Sequence, residues 1–321
     1  MDYREFTRAV EEQINQKIAG GAEAKLYKTI KNNGTERTGL LVETPGINIS
    51  PTIYLEEYYD DYRNGKPMGK IVDDIESFYQ SVRREDSWDY RQILTYDGVK
   101  DRVVFKLVNT AKNRKYLATV PHMDFLDLSV VFYVLLEITE EGTASMAVTS
   151  DHLKQWNVRT DELWADAAEN VKRLLPAEFF TMDHALKEIL KKGMGMQDKA
   201  GEAVTPENLL REDTCARDGM YVLTNSLRSY GAACIVYPHI LDMVWDILRT
   251  DFYVLPSSVH EVIITPYSDA ISCRELDEMI RNINDTQVDA EEVLSGHAYL
   301  YERSLGRLCI GTKRPAERGA L

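Results

Sequence analysis

Close cysteine pairs, long apolar runs, a surplus of basic residues and the familiar catalytic signatures are all missing from this sequence. Each absence narrows what the chain can be. The four cysteines, Cys215, Cys234, Cys273 and Cys309, are widely spaced and form no C-x-x-C pair. Zinc ribbons and dithiol redox motifs require such pairs, so the expectation is four reduced thiols and no metal or other cofactor. The longest apolar run, LSVVFYVLLEI from Leu128 to Ile138, falls short of the roughly 20 residues that a membrane-spanning helix needs. It reads as a buried strand. The N-terminal stretch MDYREFTRAVEEQINQKI is charged and amphipathic, without the apolar centre of a signal peptide, and a cytoplasmic location is expected. Against 52 acidic residues stand 38 scattered basic ones, a net charge of −14. Polyanion binding is driven by clustered Lys and Arg that release counterions, and anionic bilayers repel an acidic surface. Nucleic acid and membrane are therefore poor partners for this chain. Nor is there a G-x-S-x-G elbow, a phosphate-binding loop, a dinucleotide glycine string, an H-E-x-x-H pair or a kinase set.

What is present is enough apolar material, 44% of 321 residues, to bury a core without staples. Phe6, Val10, Ile14 and Ile18 recur at fourfold spacing and predict an opening helix. AKLYKTI and TGLLVET flank Asn33-Gly34, a hairpin signal, and Pro51 marks INISPTIYL as an edge strand. Met68, Ile71, Val72, Ile75, Phe78, Tyr79 and Val82 form one helical face. Strands are expected at RVVFKLVN, around Leu128 to Ile138 and at TASMAVT, and a helix at DELWADAAENVKRLL. Later, MYVLTN, DFYVL and VHEVIIT read as strands. SCRELDEMIRNIN reads as a helix with a Ser272/Glu275 capping box and Leu276, Met279, Ile280 and Ile283 inward, and HAYLYE with RLCIG as a final hairpin. The fold class is α+β, with mixed, mostly antiparallel sheets covered by amphipathic helices, in two lobes. Residues 193 to 219 lose periodicity and gain glycine and charge, so they are the expected linker between an N-terminal α+β lobe (1–192) and a C-terminal α/β lobe (220–312). Residues 313–321 are expected to fray.

The candidate chemistry lies mainly in LPSSVHEVIITP, Leu255 to Pro266. Ser258 and His260 share one face of a strand, where a hydroxyl beside an imidazole could act as nucleophile and base. Glu261 points to the other face, so a group from elsewhere would have to orient the imidazole. The plainer reading is that Pro256, Ser257 and Ser258 make a tight turn between two strands, with Val259, Val262 and Ile264 anchoring the second strand in the core and His260 partly exposed. VPHMDF offers His122 and Asp124 with the same alternation. Together with His260 they are the weak metal-ligand candidates, since imidazole and carboxylate suit zinc, iron or manganese, although solvated strand ends explain them as well. YLEEYYDDYRNG places Tyr58, Tyr59 and Tyr62 among acids. That is either an interaction surface or an amphipathic helix.

TIYLEEYYDDYRNGKPMGKIVDDI, DELWADAAENV and FYVLPSSVHEVIITP, in that order, resemble a bacterial family, domain of unknown function 5688, typical of gut Firmicutes and often encoded near mobile elements. The order of elements is more distantly similar to the YtpQ-like family. Neither resemblance implies an activity, a cofactor or a catalytic set; it implies one architecture along nearly the whole chain. The leading expectation is a cytosolic, non-catalytic module that binds a protein or a small ligand. The alternative is a hydrolase or metal-dependent enzyme working at Ser258, His260 and Glu261.

Overall fold

The computed structural model describes residues 1–18, 20–47, 50–83, 90–139, 142–185, 187, 210–211 and 219–311. It divides into two compact units, Met1–Gln92 and Ile93–Leu321. Its fold class is the α+β one expected: amphipathic helices on three sheets that are antiparallel except for one short pairing.

The first unit opens with α1 (Tyr3–Lys17), started by a capping box in which Asp2 accepts from the Glu5 N–H and the Glu5 side chain answers the Asp2 N–H. Its stripe of Phe6, Val10 and Ile14 is fully buried. β1 (Glu23–Ile30) and β2 (Glu36–Glu43) pair antiparallel across the expected turn, where Asn33 and Gly34 take left-handed φ of 60° and 76°. β3 (Thr52–Tyr54) completes the sheet as an edge, consistent with Pro51. The opposite edge is closed by α1 itself. The Asn15 amide donates to the Ala24 carbonyl and accepts from the Ala24 N–H, both at 2.8 Å, and Glu11 accepts from the Leu26 N–H. Two helix side chains thus replace part of a missing neighbour strand and blunt an exposed edge. After α2 (Glu56–Arg63), α3 (Met68–Val82) buries Ile71, Val72, Ile75 and Tyr79 against this sheet's core. Phe78 departs from expectation, at 44% exposed.

The second unit holds two sheets. β4 (Val103–Asn109) pairs with the long β6 (Leu128–Thr139), which also carries β5 (His122–Phe125) and β7 (Gly142–Ala147). The short α4 (Arg114–Leu117) and α5 (Ser150–Trp156) flank this sheet in the chain. α6 (Thr160–Leu174) lays Leu163, Ala167 and Val171 into the core beside β4. The larger sheet runs β14 (Arg307–Ile310), β13 (Tyr299–Glu302), β11 (Phe252–Leu255), β12 (Val262–Pro266), β10 (Tyr221–Asn225), β8 (Ala177–Thr181) and β9 (Leu210–Arg211). β11 and β13 follow period two with both faces covered. Phe252, Val254, Tyr299 and Tyr301 enter the main core with α7 (Ile240–Leu248), while Tyr253, Leu255 and Leu300 pack under α8 (Cys273–Thr286). On α8, Leu276 and Ile280 point inward as expected, but Met279 and Ile283 are 47% and 39% exposed. The buried stripe is one turn-spacing narrower than the apolar one.

The division between units falls at Gln92/Ile93 rather than at 193–219. β8 and β10, on either side of that expected linker, pair directly, Tyr221 opposite Thr181. Lost periodicity there marks an insertion between neighbouring strands of one sheet, and β9 within it adds to β8 in parallel. Most of 193–219, Cys215 and the 313–321 tail lie outside the described residues, as does the Glu140-Glu141 connection.

Candidate functional site

Leu255 lies opposite Ile263 in the β11–β12 pairing, so the chain between them is too long for a tight turn. Pro256 to Val259 instead run extended against residues 292 to 295. Ser295 N–H donates to Pro256 O, Leu294 N–H to Ser257 O, and Val259 N–H to Glu292 O, with a bridge between Ser258 and Val293. This pairing with a distant segment overrides the local turn preference of Pro-Ser-Ser, because these backbone groups are satisfied more fully by a strand partner. Val259, Val262 and Ile264 are all core residues, at 4%, 0% and 0% exposure.

His260 follows at the rim, its side chain 29% exposed. Its backbone is held on both sides: N–H donates to Ser258 Oγ at 3.0 Å, and Thr224 Oγ1 donates to its carbonyl at 2.8 Å. The ring is equally constrained. Tyr230 N–H lies 3.3 Å from Nδ1, and a backbone N–H can only donate, so Nδ1 is the acceptor and the proton sits on Nε2. Nε2 then donates to Glu292 Oε1 at 3.1 Å. Glu292 is therefore the orienting carboxylate that Glu261 could not be. Ser258 takes no part in the ring's bonding. The residue is buried, and its hydroxyl accepts from the His260 N–H. Burial holds the Glu261 carboxyl above the usual carboxylate range, with Glu292 adding to the rise and His260, Ser258 and Arg228 opposing it.

Tyr230 is placed by an unusual backbone. In the loop after β10, Asn225 accepts from the Leu227 and Ser229 N–H groups and donates to Ser229 O. Arg228 and Tyr230 adopt left-handed φ of 52° and 54°, costly for such bulky residues and so maintained by the surrounding contacts. Gly231 is required next. A Cβ there would lie 2.1 Å from Thr224 Oγ1 and 2.6 Å from His260 O. The result is a tyrosine ring nearly parallel to His260, with centroids 5.7 Å apart at 24°, and with the Lys106 ammonium of β4 4.1 Å from its centroid. Tyr133 meets Tyr230 edge-on at 6.2 Å. Arg228 leaves the loop on the other side, bonded to buried Glu178 at 2.9 Å and lying over Phe180.

The remaining candidates do not join this cluster. His122 and Asp124 are exposed on β5, with His122 Nδ1 3.1 Å from the carbonyl oxygen of Val120, two residues before it. Among the described residues no group of three or more His, Cys, Asp and Glu side chains could hold a metal ion. Tyr58, Tyr59 and Tyr62 lie half-buried on α2 in the first unit, where Tyr59 and Tyr62 pack on Phe6 at 5.2 and 5.5 Å. Of the residues that the sequence reading passed over, Lys106 had a visible signal, as the single charge in VVFKLV. Tyr230 and Glu292 had none.

No helix among the described residues is long and apolar enough to cross a membrane. No curated protein and no solved structure matches the chain. A family model does: residues 3–303, through both units and the whole His260 cluster, match the family of unknown function DUF5688, and the chain belongs to that family.

Proposed function

We propose that this protein is a non-catalytic binding module and that its ligand is a small molecule seated at the half-exposed rim formed by His260, Tyr230 and Glu292. The observation that carries this reading is the state of the imidazole. Both ring nitrogens already have partners in the folded chain, so His260 has no free lone pair with which to take a proton from Ser258. A ring held by two fixed partners and a near-parallel tyrosine is pre-organised to present a shape, and pre-organisation lowers the ordering cost of binding. Tyr58, Tyr59 and Tyr62 support a protein-binding surface less well, because their rings face the unit's own core. Unpaired Cys234, Cys273 and Cys309, with the strong negative charge, favour a reducing cytoplasm as its location.

The test is a thermal-shift screen of small molecules against the parent and His260→Ala. At least one hit that stabilises the parent and fails on the variant is expected; a blank screen on the parent overturns the reading. One observation favours hydrolysis as a second reading: Glu292 supplies the carboxylate partner that a base at His260 would need. Release of p-nitrophenol from ester or phosphoester substrates by the parent, lost in both His260→Ala and Ser258→Ala, would establish it.

A further inference from the structure

β4 is apolar from Val103 to Val108 apart from one residue, Lys106. Its neighbours Val104, Phe105, Leu107 and Val108 are at most 2% exposed. A lone lysine in such a strand normally reaches a carboxylate or open water. Lys106 does something else: its Nζ rests 4.1 Å from the Tyr230 centroid and 5.9 Å from that of Tyr133. The other polar groups around Tyr230 are paired. Arg228 holds Glu178, His260 holds Glu292, and the Ser258 hydroxyl accepts from the His260 N–H. Among the described residues Lys106 has ring faces and no carboxylate.

The rings beside it carry neutral donors. Tyr116 packs on Val108, Leu117, Val120 and Val131, and Lys106 faces Val131 across the β4–β6 ladder. Burial pushes the Tyr116 phenol up, and the nearby Tyr230 hydroxyl raises it further; burial and Tyr230 act on Tyr133 in the same way. These phenols stay protonated at neutral pH. No hydrogen bond to a described residue engages the hydroxyls of Tyr116, Tyr133 or Tyr230. An ammonium lying on tyrosine rings whose hydroxyls are uncommitted is recognition chemistry for an oxyanion, and among the described residues no carboxylate pairs with the lysine.

Resting on the binding reading above, we infer that the ligand is a small oxyanion, a carboxylate or a phosphate monoester carrying a flat ring, with Lys106 as its charge partner, tyrosine hydroxyls as its neutral donors, and its ring against the Tyr230–His260 rim. The rings beside the lysine add to the charge, because a flat group on the anion can pack against them.

The experiment uses the full chain and titrates phenyl phosphate, benzoate and inorganic phosphate at matched ionic strength, with benzamide as the neutral isostere. Binding is followed by calorimetry on the parent, Lys106→Met, Lys106→Arg and His260→Ala. Phenyl phosphate or benzoate should bind the parent, and which of the two binds names the anion. Lys106→Met should weaken binding by about tenfold or more, as loss of a charged hydrogen-bond partner does, while Lys106→Arg retains most of it. Inorganic phosphate alone should bind more weakly than phenyl phosphate. If benzamide binds as well as benzoate, or if binding is lost in His260→Ala but unchanged in Lys106→Met, the oxyanion assignment is wrong while the binding reading stands. If none of these probes binds, this assignment falls alone, because the binding reading is decided by the wider screen. Circular dichroism of each variant checks that a loss is not unfolding.

Discussion

Two tyrosine clusters, one in each unit, separate what an aromatic patch does for a fold from what it offers a ligand. On α2, Tyr59 lies against Tyr3 and Phe6 with centroids 5.1 and 5.2 Å apart, and Tyr62 leans on Phe6 as well. The Tyr3 hydroxyl is bound to Glu56, whose same carboxylate oxygen accepts from the Thr38 N–H. These rings close a small core, and the acids between them face solvent. In the second unit, Tyr230, Tyr133 and Tyr116 come from separate segments and leave their hydroxyls without protein partners among the described residues, and Tyr230 and Tyr133 carry a lysine over their rings. In the first cluster the α2 tyrosines are neighbours in sequence and structural in space. The second is invisible in sequence and has the unsatisfied chemistry of a site. Density of aromatics along the chain is a guide to packing; a ligand site depends on which groups remain uncommitted after folding.

The sharpest way to break this contrast is to remove what each cluster leans on. Phe6→Ala takes away the fully buried ring under Tyr59 and Tyr62 and should cost about 3–5 kcal/mol, measured by denaturant unfolding. A cost below about 1 kcal/mol would mean that the α2 tyrosines are not core residues at all. Ile264→Ala, fully buried in β12 beneath the His260 rim, should cost about 2–5 kcal/mol through the cavity it leaves. Ser258→Ala should cost about 1–3 kcal/mol, because the hydroxyl of this buried residue accepts from the His260 N–H, which would lose its partner. An unchanged unfolding midpoint for that variant would reopen the question of what Ser258 is for.

Glu261 gives the comparison a pH axis. Its carboxyl is raised above the ordinary 4.5 in the folded state. Its contribution is therefore fully present below that value and is lost as pH rises through the folded value, since the unfolded chain gives up the proton first. Glu261→Gln should flatten this part of the stability profile and leave the variant at least as stable as the parent at neutral pH. A variant that becomes less stable than the parent as pH rises would reverse the sign. The smallest effect belongs to Tyr59→Phe. Its hydroxyl has only a long 3.4 Å contact to the Met1 carbonyl, so thermal melting should move by no more than about 0.5 kcal/mol.

How much of this could be read in the sequence follows from where each signal resides. The α1 stripe, the Asn33-Gly34 hairpin and the α8 capping box are local, set by periodicity and side-chain bonds within a few residues, and they stand in the fold as the sequence implies. The unit boundary was not legible. A polar, aperiodic stretch is the same in composition whether it joins two cores or is inserted between β8 and β10. The Pro256–Ser258 turn failed for a related reason: its strand partner at 292–295 lies more than thirty residues away in a short segment with no strand periodicity. The site was half visible. His260 and Ser258 stood out by residue type, but Glu292 is 32 residues away and Tyr230 is 30, so the orientation of the imidazole was beyond any pattern of spacing.

On the binding reading, the His260 rim holds a ligand without transforming it. The direct measurement is calorimetric titration of the best stabilising compound, followed by prolonged incubation at saturation and recovery of that compound by chromatography and mass spectrometry. The account predicts binding at one equivalent per chain, lost in His260→Ala, with the compound recovered unchanged. Consumption of the compound by the parent but not by His260→Ala would contradict it and make His260 a catalytic base.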